Sequence, residues 1–215
     1  MADVSLRWPE AGVYMELREA LTQIAEIRRQ MAKSDVFRGY RSAPVAFSGL
    51  LALVAAFAQR RLVVDPTQDI AAYLTLWIGT AALCVAAVAA EMIARTYWTH
   101  DRAYLEPMRL AVELFLPSMI AGVLVTAVIV RHSPQDVALL PGLWQVFFSL
   151  GVFASARLLP RPIFAIGGFY LCAGVAVLIL SRGATSLEPW CMGLPFGVGQ
   201  LAAAAILYWT LERRR

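Results

Sequence analysis

Two carboxylates interrupt sequence that is otherwise apolar, Glu91 and Glu113. Each has a cation one helical turn away: Arg95 follows Glu91 by four residues and Arg109 precedes Glu113 by four, so each pair shares a helix face. An ionisable group inside hydrocarbon is costly and points to function by default. Joined by Arg157, these groups would form a polar vestibule for a cation, a proton or a polar headgroup. The simpler reading is two local ion pairs whose arginines reach toward headgroups. We favour the simpler one, because neither carboxylate falls at the centre of its apolar run. A second polar set, Gln145, Tyr170 and Gln200 with Ser118, Thr126 and Ser149, lies deeper in apolar stretches. Such side chains either bond between helices, at about 0.6–2 kcal/mol each, or line a substrate cavity.

Several other chemistries lack the residues they need. His100 and His132 are separated by a long apolar run, roughly 30 Å of helix, too far to share a metal or haem. Cys84, Cys172 and Cys191 are scattered singly, which excludes a disulfide framework or a CxxC pair. No His/Cys/Asp/Glu cluster has zinc-like spacing. HExxH, GxSxG and P-loop patterns are absent, and neither Ser118 nor Ser149 has a histidine nearby in sequence. No cofactor, metal or catalytic residue is therefore expected, and an enzyme is the less favoured class. The terminal Arg213-Arg214-Arg215 reads as an anchor at an anionic leaflet, not as a nucleic-acid surface.

The elements that must position these residues follow from composition. Of 215 residues 60% are hydrophobic and only 16% charged, against roughly 25% charged in soluble domains. A soluble fold would not have enough polar surface to cover so much apolar material. Six apolar segments, at 43–64, 70–94, 110–130, 139–156, 162–180 and 190–211, approach or exceed the ~20 residues that span a bilayer. Breakers separate them: Asp65-Pro66, Glu106-Pro107, Ser133-Pro134, Pro160-Arg161-Pro162 and Glu188-Pro189. Backbone polar groups in lipid must bond internally, so the segments are expected to be helices. The expected fold is an all-α membrane protein, a six-helix transmembrane bundle over 43–212. Residues 1–42 precede it as a cytoplasmic helix and linker.

Within that N-terminal segment, 13–34 reads as an amphipathic helix. Leu17, Leu21, Ile24, Ile27 and Met31 recur every three or four residues among Glu16, Glu19, Glu26, Arg29 and Lys33. Two heptads are too few for a free coiled coil. The apolar stripe therefore needs a partner: this chain's own bundle, a twin subunit or another protein. The first forty residues are polar and show no signal-peptide core.

Orientation is read from Lys and Arg. With six spans, the termini and the second and fourth connections share a side, and that side holds all but Arg60, Arg61, Arg131 and Arg182 of the 19 Lys and Arg residues. Both termini are therefore expected in the cytoplasm. Trp98, Trp144, Trp190 and Trp209 fall near segment ends, as interfacial anchors in contact with membrane lipids do. A Pro-x4-Gly spacing recurs in the first, third and fifth segments, from Pro44 to Gly49, Pro117 to Gly122 and Pro162 to Gly167, which would fit three related hairpins. Gly49, Gly79, Gly122, Gly151, Gly167 and Gly168 are expected where helices approach closely.

Met31-Ala-Lys-Ser with Phe37, Leu116-Pro117, Ala121-Gly122 with Thr126, and Leu140-Pro141-Gly142-Leu143-Trp144 together give the chain a resemblance. It resembles a group of uncharacterised bacterial six-helix membrane proteins along nearly its whole length. The resemblance implies six helices in a bacterial inner membrane and no known activity. In that group a histidine stands where this chain has Gln200, after a stretch that here reads Pro195-Phe196-Gly197; the difference weakens a metal or haem role. The leading functional expectation is a membrane scaffold or regulatory subunit, which forms a homo-oligomer or docks another protein through 13–34. The alternative is a small transporter or channel whose path runs by Gln145, Tyr170 and Gln200 toward Glu91 and Glu113. A lipid-modifying enzyme ranks third.

Overall fold

Each of the six apolar runs forms a helix, the form in which a segment closes its backbone hydrogen bonds internally and so could cross a membrane. The computed structural model describes residues 42–99, 105–180 and 184–213, together with residue 23. The expected amphipathic helix at 13–34, His100, Arg214 and Arg215 lie outside the described residues, residue 23 excepted. The helices are α1 (Ser42–Leu62), α2 (Ile70–Thr99), α3 (Leu105–His132), α4 (Leu140–Ser155), α5 (Ile163–Leu180) and α6 (Pro189–Leu207). Short 3-10 turns at Pro134–Leu139, Ala156–Leu158 and Ala184–Leu187 join them, and a π turn, Tyr208–Glu212, prolongs α6. Among the described residues there is no strand, and all six helical segments are long and apolar enough to cross a membrane.

Two boundaries differ from expectation. α2 runs on to Thr99 and α3 begins at Leu105, before Pro107. Pro107 is not a breaker here because it occupies the first turn, where a missing N–H costs no helical hydrogen bond. At about 1.5 Å per residue both helices exceed the ~30 Å hydrocarbon thickness.

The packing order is a row, α2–α1–α6–α5–α4–α3. The largest interfaces are α1 with α6 and α4 with α5, followed by α3 with α4 and α1 with α2. Each sequential hairpin pair is in contact, yet among the described residues α2 and α3, consecutive in the chain, make no substantial contact with each other. They stand at opposite ends of this order and are the least buried spans, although at the end bearing the α1–α2 connection Tyr73 and Trp77 of α2 share one apolar cluster with Leu140 of α4, against which Ile129 of α3 also packs.

Close approach depends on small residues. A Cβ on Gly142 would come within 2.8 Å of the Gly174 carbonyl oxygen, and one on Gly174 within 2.8 Å of the Gly142 carbonyl oxygen, so α4 and α5 cross backbone to backbone. Gly49 against Gln200, Gly151 against Phe115 and Gly167 against Phe153 are tight, as expected. Gly122 has ordinary room beside Phe147, whereas Gly79 and Gly168 face open space and mark no approach. An apolar helix does not reveal in its sequence which face is inward, and these two glycines point away from neighbours.

The two ends of the bundle are stitched differently. At the end bearing the α1–α2 and α5–α6 connections, Gln59 is buried; its Nε2 donates to the Leu187 carbonyl and its Oε1 accepts from Trp77 Nε1, both at 2.8 Å. Arg60 stacks over Trp190, whose ring also meets Phe57 edge-on. In the connection itself Asp65 accepts from the hydroxyl and the backbone N–H of Thr67, which hold its carboxyl below the usual range. At the terminal end Glu212 accepts from both the N–H and the hydroxyl of Ser42, at 2.8 and 3.1 Å. These donors belong to the start of α1, where backbone N–H groups lack helical partners. Glu212→Ala should therefore lower stability by about 1 kcal/mol, the scale of a lost helix cap, in a detergent thermal-unfolding assay.

Candidate functional site

Of the carboxylate set, Arg109 and Glu113 form the local pair that their spacing implies. Arg109 Nε donates to Glu113 Oε1 at 2.7 Å, an i,i+4 pair on α3 with side chains 81% and 51% exposed. Pairs this open contribute roughly 0.2–1 kcal/mol. Glu113→Gln should thus move the unfolding midpoint by the equivalent of less than about 0.5 kcal/mol, and a larger loss would reveal a further partner. Glu91 is partly exposed on α2. The side chains of Arg95 and Arg157 lie outside what the structure describes. Glu91 and Glu113 are carried by α2 and α3, the consecutive pair without substantial contact. Among the described residues no group of His, Cys, Asp and Glu is placed to hold a metal.

Gln145, Tyr170 and Gln200 meet α6 at different heights and faces. Pro195 lies inside α6 and has no N–H, which leaves the carbonyl of Cys191, four residues earlier, without its helical donor. Gln145 on α4 supplies one: its Nε2 donates to the Cys191 carbonyl at 2.8 Å, and to Pro141 O on its own helix at 3.2 Å. Tyr170 on α5 is fully buried farther along α6, where its hydroxyl reaches the Phe196 carbonyl at 3.5 Å and its ring fills the space above Gly199. Gln200 is partly buried and sits against Gly49 on the α1 side. Two of the three accordingly meet backbone carbonyls of α6, and the set does not converge on one point.

Around Tyr170 the interior is aromatic. Phe148 of α4 meets Phe115, Tyr170 and Phe196 at ring separations of 4.7–5.3 Å, which ties α3, α4, α5 and α6 together. Trp144 Nε1 donates to the Thr126 hydroxyl, which itself donates back to the Gly122 carbonyl.

No protein-family model, curated protein or solved structure matches the chain.

Interactions at three positions escaped sequence reading. Gln59 stands beside Arg60-Arg61, and Glu212 stands among the terminal arginines. Tyr73 is three residues from the start of α2 and fully buried. A polar residue one turn inside an otherwise apolar helix end is the signal that separates Gln59 and Tyr73 from surface residues.

Proposed function

We propose that this protein is a membrane scaffold or regulatory subunit of a bacterial inner membrane, with six transmembrane helices, both termini cytoplasmic, and a second copy as its first partner. The observation that carries the reading is the isolation of α2 and α3. Consecutive elements usually neighbour each other, yet these two share no substantial interface and occupy the two ends of the row. α2 is exposed along Ala82, Ala86, Ala90 and Ala94, four small residues at helical spacing. In lipid, helix association rests on close packing of such residues, and a twofold pair brings the same strip of two copies together. The apolar stripe expected at 13–34 would add a cytoplasmic contact. Support for the orientation comes from the Lys and Arg distribution.

Native mass spectrometry of the full chain from nanodiscs tests this. A homo-oligomer that becomes monomeric with Ala86→Trp, or on deletion of 1–35, supports the scaffold reading. A monomer without any protein partner at all concentrations overturns it. Solute flux sensitive to Glu91→Gln or Glu113→Gln would move the assignment to a transporter.

A further inference from the structure

Among the described residues, three oxygens inside the bundle have no protein hydrogen-bond partner: the Tyr73 hydroxyl, Gln145 Oε1 and Ser149 Oγ. Each belongs to a side chain with 0% exposure. They are not spread at random. Gln145 and Ser149 lie one turn apart on the same face of α4. Tyr73 packs in one cluster with Leu140 and Met192, the sequence neighbours of Pro141 and Cys191, whose carbonyls hold the Gln145 amide.

The amide orientation is fixed by its partners. Both are carbonyls, so the nitrogen must face them, and Oε1 is left as an acceptor without a donor. Ser149 is unusual in a different way. Thr80, Thr126 and Thr210 each return their hydroxyl to the carbonyl four residues earlier, at 2.6–2.7 Å. Ser149 makes no such bond, although helical hydroxyls commonly do.

A buried polar atom without a partner costs about 1–3 kcal/mol, so three in one region call for a molecule that donates and accepts. None of the three residues carries a charge, and the Cys191 thiol is already directed at the Thr185 carbonyl. A neutral ligand of water's size fits this set, since buried water typically bonds to two to four polar groups. The rise of about 6 Å between Gln145 and Ser149 is the span of two such molecules.

We propose that Tyr73, Gln145 and Ser149 form an internal water-binding site between α2, α4 and α6, beside the Cys191 carbonyl that the Gln145 amide caps.

Radiolytic hydroxyl labelling of the full chain in nanodiscs reads this directly, because X-ray pulses split bound water and mark the side chains it touches. Tyr170 is the internal control, equally buried but bonded to the Phe196 carbonyl. Tyr73 should be labelled several-fold faster than Tyr170. Equal protection of the two tyrosines would overturn the site. In Gln145→Met, and separately in Ser149→Ala, which alters shape least, Tyr73 labelling should fall toward the Tyr170 rate. Labelling that persists unchanged in both would mean access of bulk solvent and would likewise overturn it.

Discussion

Gly174→Ala should destabilise the bundle by about 1–3 kcal/mol, the usual cost of overpacking, and Gly174→Leu should leave little folded protein. The reason is the kind of atom met. A Cβ at 174 lies 2.8 Å from the Gly142 carbonyl oxygen and 3.0 Å from the Val146 nitrogen, and backbone in a helix cannot swing aside as a side chain can. Gly142→Ala meets the Gly174 carbonyl in the same way and should cost as much. Gly79→Ala and Gly168→Ala are the contrast. Their new methyls meet nothing within 4 Å, and the gain in helix preference is about 0.5–1 kcal/mol. Thermal unfolding in one detergent should therefore place the four variants on opposite sides of the native protein. Equal losses at all four would mean that α4 and α5 do not cross at these glycines.

Gln59→Leu should be the most damaging polar substitution, at about 2–5 kcal/mol. It strands two buried groups at once, the Trp77 indole N–H and the Leu187 carbonyl, and each orphan costs about 1–3 kcal/mol. An ordinary interhelical hydrogen bond in a membrane protein averages nearer 0.6 kcal/mol. Gln59 exceeds that because one side chain, 1% exposed, joins α1, α2 and the turn before α6. A double variant separates the parts: Trp77→Phe in the Gln59→Leu background should recover some of the loss, since it removes one of the stranded donors. Strict additivity of the two changes would contradict the clamp.

The helices were legible in the sequence and their neighbours were not. Length and apolarity identify a span regardless of which face it buries, so all six segments fold where the apolar runs lie. The ends at 94 and 110 fell short of Thr99 and Leu105 because hydropathy stops at charged residues while backbone hydrogen bonding continues through them. Uniform apolarity also hid orientation. Gly151 and Gly79 look alike in sequence, but only the first meets a neighbour, Phe115. The Arg109–Glu113 pair was readable because it is local, fixed by spacing on one helix. The pairing of Gln145 with Cys191 was not, since it depends on which helix faces the carbonyl that Pro195 frees.

The first and last helices are each other's principal partner, and this orders the events of synthesis. Gly49 meets Gln200, Ala56 packs against Gly193, and Ser42 is tied to Glu212. The strip of α1 that bears Gly49, Ala52 and Ala56 must therefore wait until α6 has left the ribosome, on the order of ten seconds at the usual rate of translation. In a membrane, lipid or the insertion machinery would have to shield it through that interval. A nonsense mutation upstream of α6 would yield five insertable spans with no closing strand of helix. Such a product would leave the Gly49 and Ala56 strip of α1 without its partner, so stops before α6 should leave little folded protein.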